Sequence, residues 1–157
     1  MLDHEDIMKL AAEEAEKTMM AGIGGPFGAV VVKNGEIIAV ASNTVLGDHD
    51  PTAHAEVNAI RKACQKLGTH DLSGCEIYAT GSPCPMCMSA IIWANIKKAY
   101  ISGLPEDADA IGFRDKFMYD FIKDGCRDEK VVKCEKLKRE TAQKLYQKYH
   151  DTASEIY

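Results

Sequence analysis

Apolar residues recur at helical intervals along the first twenty positions. Ile7, Leu10, Ala11, Ala15 and Met19 fall on one face of DHEDIMKLAAEEAEKTMMAG, the spacing of a helix that buries a single stripe. Asp3 stands where an N-cap accepts free amides, acids fill the first turn, and Gly22 stands where the helix must stop. The period then changes. GIGGPFG is a glycine-rich loop that lacks the GxxxxGKS or GxxxxGKT pattern of a phosphate cradle. GAVVVK and EIIAVAS read as strands, and the Asn34-Gly35 pair between them is the favoured two-residue turn of an antiparallel hairpin.

Downstream, NTVLGDHDPT reads as a loop and AHAEVNAIRKACQKLG as a second helix closed by Gly68. CEIYATG predicts a third strand, CPMCMSAIIWANI a third helix and KKAYISG a fourth strand. DADAIGFRDKFMYDFIKDG reads as a loop with a short helix. VVKCEKL follows as a fifth strand, then RETAQKLYQKYHDTA as a terminal helix with the tail SEIY. This order predicts a mixed sheet covered by helices on both faces. The chain has 157 residues and no repeat, low-complexity tract or dividing linker. It therefore fits one domain over residues 1–157.

Composition narrows the classes. Charged residues make up 27% and apolar residues 46%, as in soluble globular proteins. The longest apolar runs, GAVVV and SAIIWA, are too short to span a bilayer. MLDHEDIMKL is acidic and unlike a signal peptide, so a cytoplasmic location is expected and no membrane partner. The net charge of −5 argues against a nucleic-acid partner. In KVVKCEKLKRETAQKLYQK the basic residues alternate with acids, as on a solvated helix face. The six cysteines do not suggest a disulfide scaffold in a chain this long and core-rich. Cys64, Cys75, Cys126 and Cys134 lack partner spacing and read as small core or surface residues.

Cys84 and Cys87 are different. GSPCPMC places them three apart at the start of a predicted helix. Alone, such a pair could be a redox couple, a structural zinc clip or part of a catalytic metal site. A redox couple would follow the first strand of a βαβ unit, and a clip would need a second pair that the chain lacks. His54, in PTAHAEVNAI, supplies a third ligand at the start of another helix. One imidazole and two thiolates suit zinc and leave its fourth tetrahedral position for water. First-turn residues of two helices can all reach an ion beyond the helix ends, where the dipoles also favour thiolates. Pro85 sits just inside its helix, where it costs no hydrogen bond. Zn²⁺ with two thiolates and a neutral imidazole sums to zero charge. A base beside it would therefore help to take the water proton, and Glu56 is the candidate.

HAE together with PCPMC resembles the zinc-dependent cytidine/deoxycytidylate deaminase superfamily, whose signature is known for nucleobase deaminases. The resemblance implies a three-layer α/β/α sandwich with a mixed five-stranded sheet. It also implies one zinc ion per subunit on His54, Cys84 and Cys87, and Glu56 as proton shuttle. AGIGGPFGAVVVKNGEIIA, DHDPTAHAEVNAIRKAC, PCPMCMSAIIWA and GFRD are further similar to bacterial guanine deaminases of this fold. That likeness covers nearly the whole chain and is strongest from Ala21 to Ala94. It implies hydrolysis of a free purine base, guanine to xanthine and ammonia, by an aminohydrolase acting on a cyclic amidine. A tRNA adenosine deaminase or another nucleobase or nucleoside deaminase is the alternative. It implies, too, homodimers that exchange C-terminal segments.

Carried to this chain, the family's pocket would use Asn43 to bond the purine and Phe27 and Trp93 to line or stack on it. Asp115 would face the base, and Tyr157 would arrive from a second subunit. On the residues alone, Asn43 could end a strand, Phe27 and Trp93 could be core, Asp115 could cap a helix and Tyr157 could be a frayed end. An ionised Asp115 would suit the N1–H donor edge of guanine over the acceptor edge of adenine. The unpaired acceptor would cost about 1–3 kcal/mol. The chain departs from the family pattern at Ser82 and Arg114, where acids are usual, and matches it least from Leu104 to Lys136.

Overall fold

The computed structural model describes residues 2–152 and 154–157. Helix α1 (His4–Met20) opens on a reciprocal cap: Asp3 accepts the Asp6 N–H at 2.8 Å and Asp6 accepts the Asp3 N–H at 3.4 Å. Strands β1 (Gly28–Lys33) and β2 (Glu36–Ser42) form the expected hairpin. Asn34 and Gly35 turn it with φ of 50° and 78°, both left-handed as a type I′ turn requires. Ile38 is an extra residue in β2, because Val31 faces Ala39 while Val32 faces Ile37.

Strand β3 (Cys75–Ala79) runs antiparallel to β1, and β4 (Lys98–Ile101) runs parallel to β3, giving the order β2-β1-β3-β4. A parallel neighbour needs a crossover, and helix α4 (Pro85–Trp93) provides it. Alternate residues of β1 and β3 face opposite ways. Ala29, Val31 and Ile77 pack with helix α3 (Ala55–Leu67) and α4, whereas Val30, Val32 and Tyr78 pack with Ile7 and Ala11 of α1. Helices therefore cover both faces. The buried stripe of α3 is Ala55, Ala59 and Ala63, small enough to bring its backbone close to the sheet. Lys62 and Lys66, one turn apart on α3, donate to the Val40 and Ile37 carbonyls along β2 at 3.1 and 3.4 Å.

The expected fifth strand is absent, so the sheet has four strands among the described residues. Val131, Val132 and Leu137 give VVKCEKL a strand-like composition, but strands exist only where partner amides and carbonyls meet. Instead Val131 N–H donates to Asp128 O at 3.0 Å in a local turn, and Val132 and Leu137 are exposed. The other elements are helical: α2 (Val45–Asp48), α5 (Pro105–Ala110), α6 (Lys116–Lys123) and α7 (Arg139–Asp151). Ala153, the expected last residue of the terminal helix, lies outside the described residues. The chain forms two compact units, Met1–Phe117 and Met118–Tyr157. Among the described residues no helix is long and apolar enough to cross a membrane.

Candidate active site

Two helices of the first unit begin at one point. His54 is the N-cap of α3 and Cys84 the N-cap of α4. Both have extended backbones, with ψ of 156° and 171°, and neither side chain caps its own helix. Caps normally spend their side chains on the first amides, so these two are left to other work. Pro85 at the first position of α4 has no amide to satisfy. Cys87 lies one turn inside α4 and is fully buried, and Glu56 lies in the first turn of α3, 7% exposed. The loop leading to Cys84 is pinned to β1: Thr80 N–H donates to Gly28 O and Gly28 N–H to Thr80 Oγ1, both at 3.0 Å.

The ligand atoms of His54, Cys84 and Cys87 all lie within 4.8 Å of one another. His54 Nδ1 is 3.6 Å from Cys84 Sγ and 3.5 Å from Cys87 Sγ. Zn–S bonds of about 2.3 Å and Zn–N bonds of about 2.0–2.1 Å at a tetrahedral angle imply N···S edges of about 3.5–3.6 Å. The imidazole thus already stands from both sulfurs at the edge length of a zinc tetrahedron, and zinc fits this donor set.

Charge leads to the same ion. The thiol of Cys84 is lowered to about 4, chiefly by its hydrogen bond with Cys87 and then by the bond to His54. The Cys87 thiol is pushed up, first by its bond with Cys84 and then by burial. Two adjacent sulfurs, one buried and one half-buried, do not both ionise readily without a cation between them. Burial also raises the Glu56 carboxyl, and the Cys84 charge adds to this. His54 moves up as well, because its ring bonds to Cys84.

Asn43 directly follows β2. It is buried, and its Oδ1 accepts the Gly25 N–H at 3.3 Å and the Val45 N–H at 3.1 Å. With the carbonyl so engaged, its amide donors are what remain for a ligand. The close approach of Gly24 explains its identity, since a Cβ there would lie 2.0 Å from Asn43 O. Phe27 is half-buried and makes an edge contact with Phe113, ring centres 5.1 Å apart. A Cβ on Gly25 or Gly81 would come within 3.1 Å of the Phe27 ring, so that ring is flanked by two bare backbones.

Asp115 is half-buried, and its carboxyl is pushed up by burial and then by the charge of Cys84, which places it in the field of the cluster. Its neighbour Arg114 pairs with Asp109 at 2.9 Å on the surface. Trp93 ends α4 and is 68% exposed, so it is not a core residue. Tyr157 belongs to the second unit and is also exposed. The first unit therefore gathers His54, Cys84 and Cys87, with Glu56 and Asp115 in the field of Cys84. Sequence reasoning passed over two side chains. Phe113 lies inside GFRD but has no periodic signal, and Asn58 shows itself only through its bonds to two backbone carbonyls and the Thr44 hydroxyl.

Comparison with known proteins places these features in context. Residues 1–102 match the family model described as the cytidine and deoxycytidylate deaminase zinc-binding region. The guanine deaminase of Bacillus subtilis (strain 168) is 50% identical over 118 residues, 75% of this chain and 76% of that protein. A crystal structure of guanine deaminase from Bacillus subtilis superposes with a TM-score of 0.90 and 40% identity, covering 99% of both chains. The tRNA-specific adenosine deaminase of Aquifex aeolicus (strain VF5) is 46% identical over 64% of this chain and 66% of its own.

Proposed function

The chain belongs to the cytidine and deoxycytidylate deaminase family, and from that premise we propose that it is a zinc-dependent guanine deaminase. It hydrolyses guanine to xanthine and ammonia. The observation that carries this reading is the match to the Bacillus subtilis guanine deaminase along 99% of both chains. The tRNA deaminase relative shares only 64% of this chain, and the net charge of −5 offers a polyanion little attraction.

His54 and the sulfurs of Cys84 and Cys87 would hold the zinc. When bound, it supplies Lewis acidity that brings a water's pKa toward neutrality. Glu56 takes a proton from the attacking water, passes it to the adjacent ring nitrogen, and returns a second proton to the departing amine. Water supplies oxygen to the ring carbon, the carbon–amine bond breaks, and ammonia leaves. Nδ2 of Asn43 donates to a purine acceptor, while Asp115 accepts from the donor edge of the base. Phe27 and Trp93 offer ring faces to the purine. Two of these roles draw support from the structure: Asn43 has its carbonyl engaged, leaving its amide donors, and Asp115 lies in the field of Cys84.

An ammonia-release panel tests the reading. Guanine should be the best substrate, ahead of adenine, cytosine, their nucleosides and tRNA. Turnover of tRNA alone would overturn the free-base reading and leave the zinc chemistry standing.

The chain acts as a homodimer, a single deaminase domain whose C-terminal segment crosses to the partner and brings Tyr157 to the partner's pocket. Support comes from the exposed Leu137, Leu145, Tyr146 and Ile156, an apolar set that solvent disfavours. Light scattering should give twice the chain mass; a monomer at micromolar concentration would rule the dimer out. The cytoplasm is the compartment that suits its free thiols.

A further inference from the structure

Asn58 lies one turn beyond His54 and two residues beyond Glu56, half-buried on α3. Its amide nitrogen is within hydrogen-bond reach of three acceptors. Ser42 O lies at 2.9 Å, Thr44 Oγ1 at 2.9 Å and Ala53 O at 3.3 Å. Three acceptors around one terminus fix which end of the amide points inward. The contacts have a pattern. Ser42 and Thr44 bracket Asn43, and Ala53 directly precedes His54. Thr44 adds to the link, since its hydroxyl donates to Asp48 at 2.6 Å and its N–H to Ala53 O at 3.0 Å. The Asn58 side chain therefore joins the segment that carries the purine-binding amide to the segment that carries the metal ligand.

We propose that Asn58 is a positioning residue that holds Asn43 and His54 at a fixed separation, and so sets the purine against the reacting water. It touches neither. The kinetic part of this inference rests on the guanine reading above; the geometric part does not. Asparagine is a below-average helix former, and here its side chain ties two loops that have few other bonds between them.

The test compares wild type with Asn58→Ala and the milder Thr44→Val, at a temperature well below melting. Misplacement on the scale of 1 Å can cost about 100-fold in rate. Asn58→Ala should thus lower kcat for guanine by about 10–100-fold while zinc content stays at one per chain. Asn58→Asp, which turns an acceptor-only group toward three acceptors, should not rescue it. Combined with Asn43→Ala, the loss should be less than the product of the two single losses, because one acts through the other. A merely structural Asn58 would lower the melting temperature, leave kcat in place and combine multiplicatively. Amide exchange gives a second readout that needs no turnover. The Asn43 and Thr44 amides, bonded to Phe27 O and Ala53 O, should exchange faster in the variant while α1 is unaffected.

Unchanged kcat in a folded, zinc-loaded Asn58→Ala protein overturns the proposal. If Asn58→Ala fails to fold, Thr44→Val carries the same comparison. If wild type leaves guanine untouched, the functional reading fails, and exchange alone then decides whether Asn58 ties the two segments.

Discussion

Glu56→Gln is expected to lower kcat by about 100- to 10,000-fold, the usual contribution of a positioned acid–base group. Glutamine keeps the shape and the hydrogen-bonding reach but cannot take a proton. Glu56 is 7% exposed and its carboxyl is raised chiefly by burial. Burial therefore disfavours the ionised carboxylate before metal binds, a cost that glutamine avoids. Removing it should leave the melting temperature unchanged or higher, with one zinc still bound per chain. That combination separates a catalytic group from a structural one. Parallel measurement of kcat, zinc content and melting temperature checks it. A variant that keeps more than a tenth of wild-type activity would remove Glu56 from the reaction.

Zinc removal should have an equally large effect by another route. Chelation, or Cys87→Ala, takes away the Lewis acid that brings a water's pKa from 15.7 to about 7, so turnover should fall by more than about 1,000-fold. Stability should follow. A ligand present at about 1,000 times its Kd contributes about 4 kcal/mol, which for a chain of this size is about 8–16 °C in melting temperature. Readdition of zinc should restore the chelated wild type but not Cys87→Ala. Metal analysis, scanning fluorimetry and ammonia release follow the three quantities together. Full activity in protein shown to hold no metal would end the zinc assignment.

Much of the fold could be read from local rules. Asp3 and Gly68 behave as caps wherever they stand, and Asn34-Gly35 specifies its hairpin through backbone conformation alone. The metal ligands could be read because an imidazole and two thiolates at helix starts have few other joint uses. The missing strand shows the limit. VVKCEKL has the composition of a strand, but strand formation depends on a neighbour that composition cannot name. Trp93 shows another: an aromatic in an apolar run looks like core, yet it ends its helix exposed. Asn58 was hidden for a third reason. Its partners are mostly carbonyls, and every residue has one, so no sequence pattern marks them.

The two lysines of α3 that reach the β2 carbonyls give the sheet unequal sides. An incoming chain that tried to extend the sheet past β2 would have to displace both ammonium groups. Strand addition at the β2 edge is thereby opposed. An edge whose carbonyls are already engaged by charged side chains is a poor template for a second chain, which guards that flank against edge-to-edge aggregation.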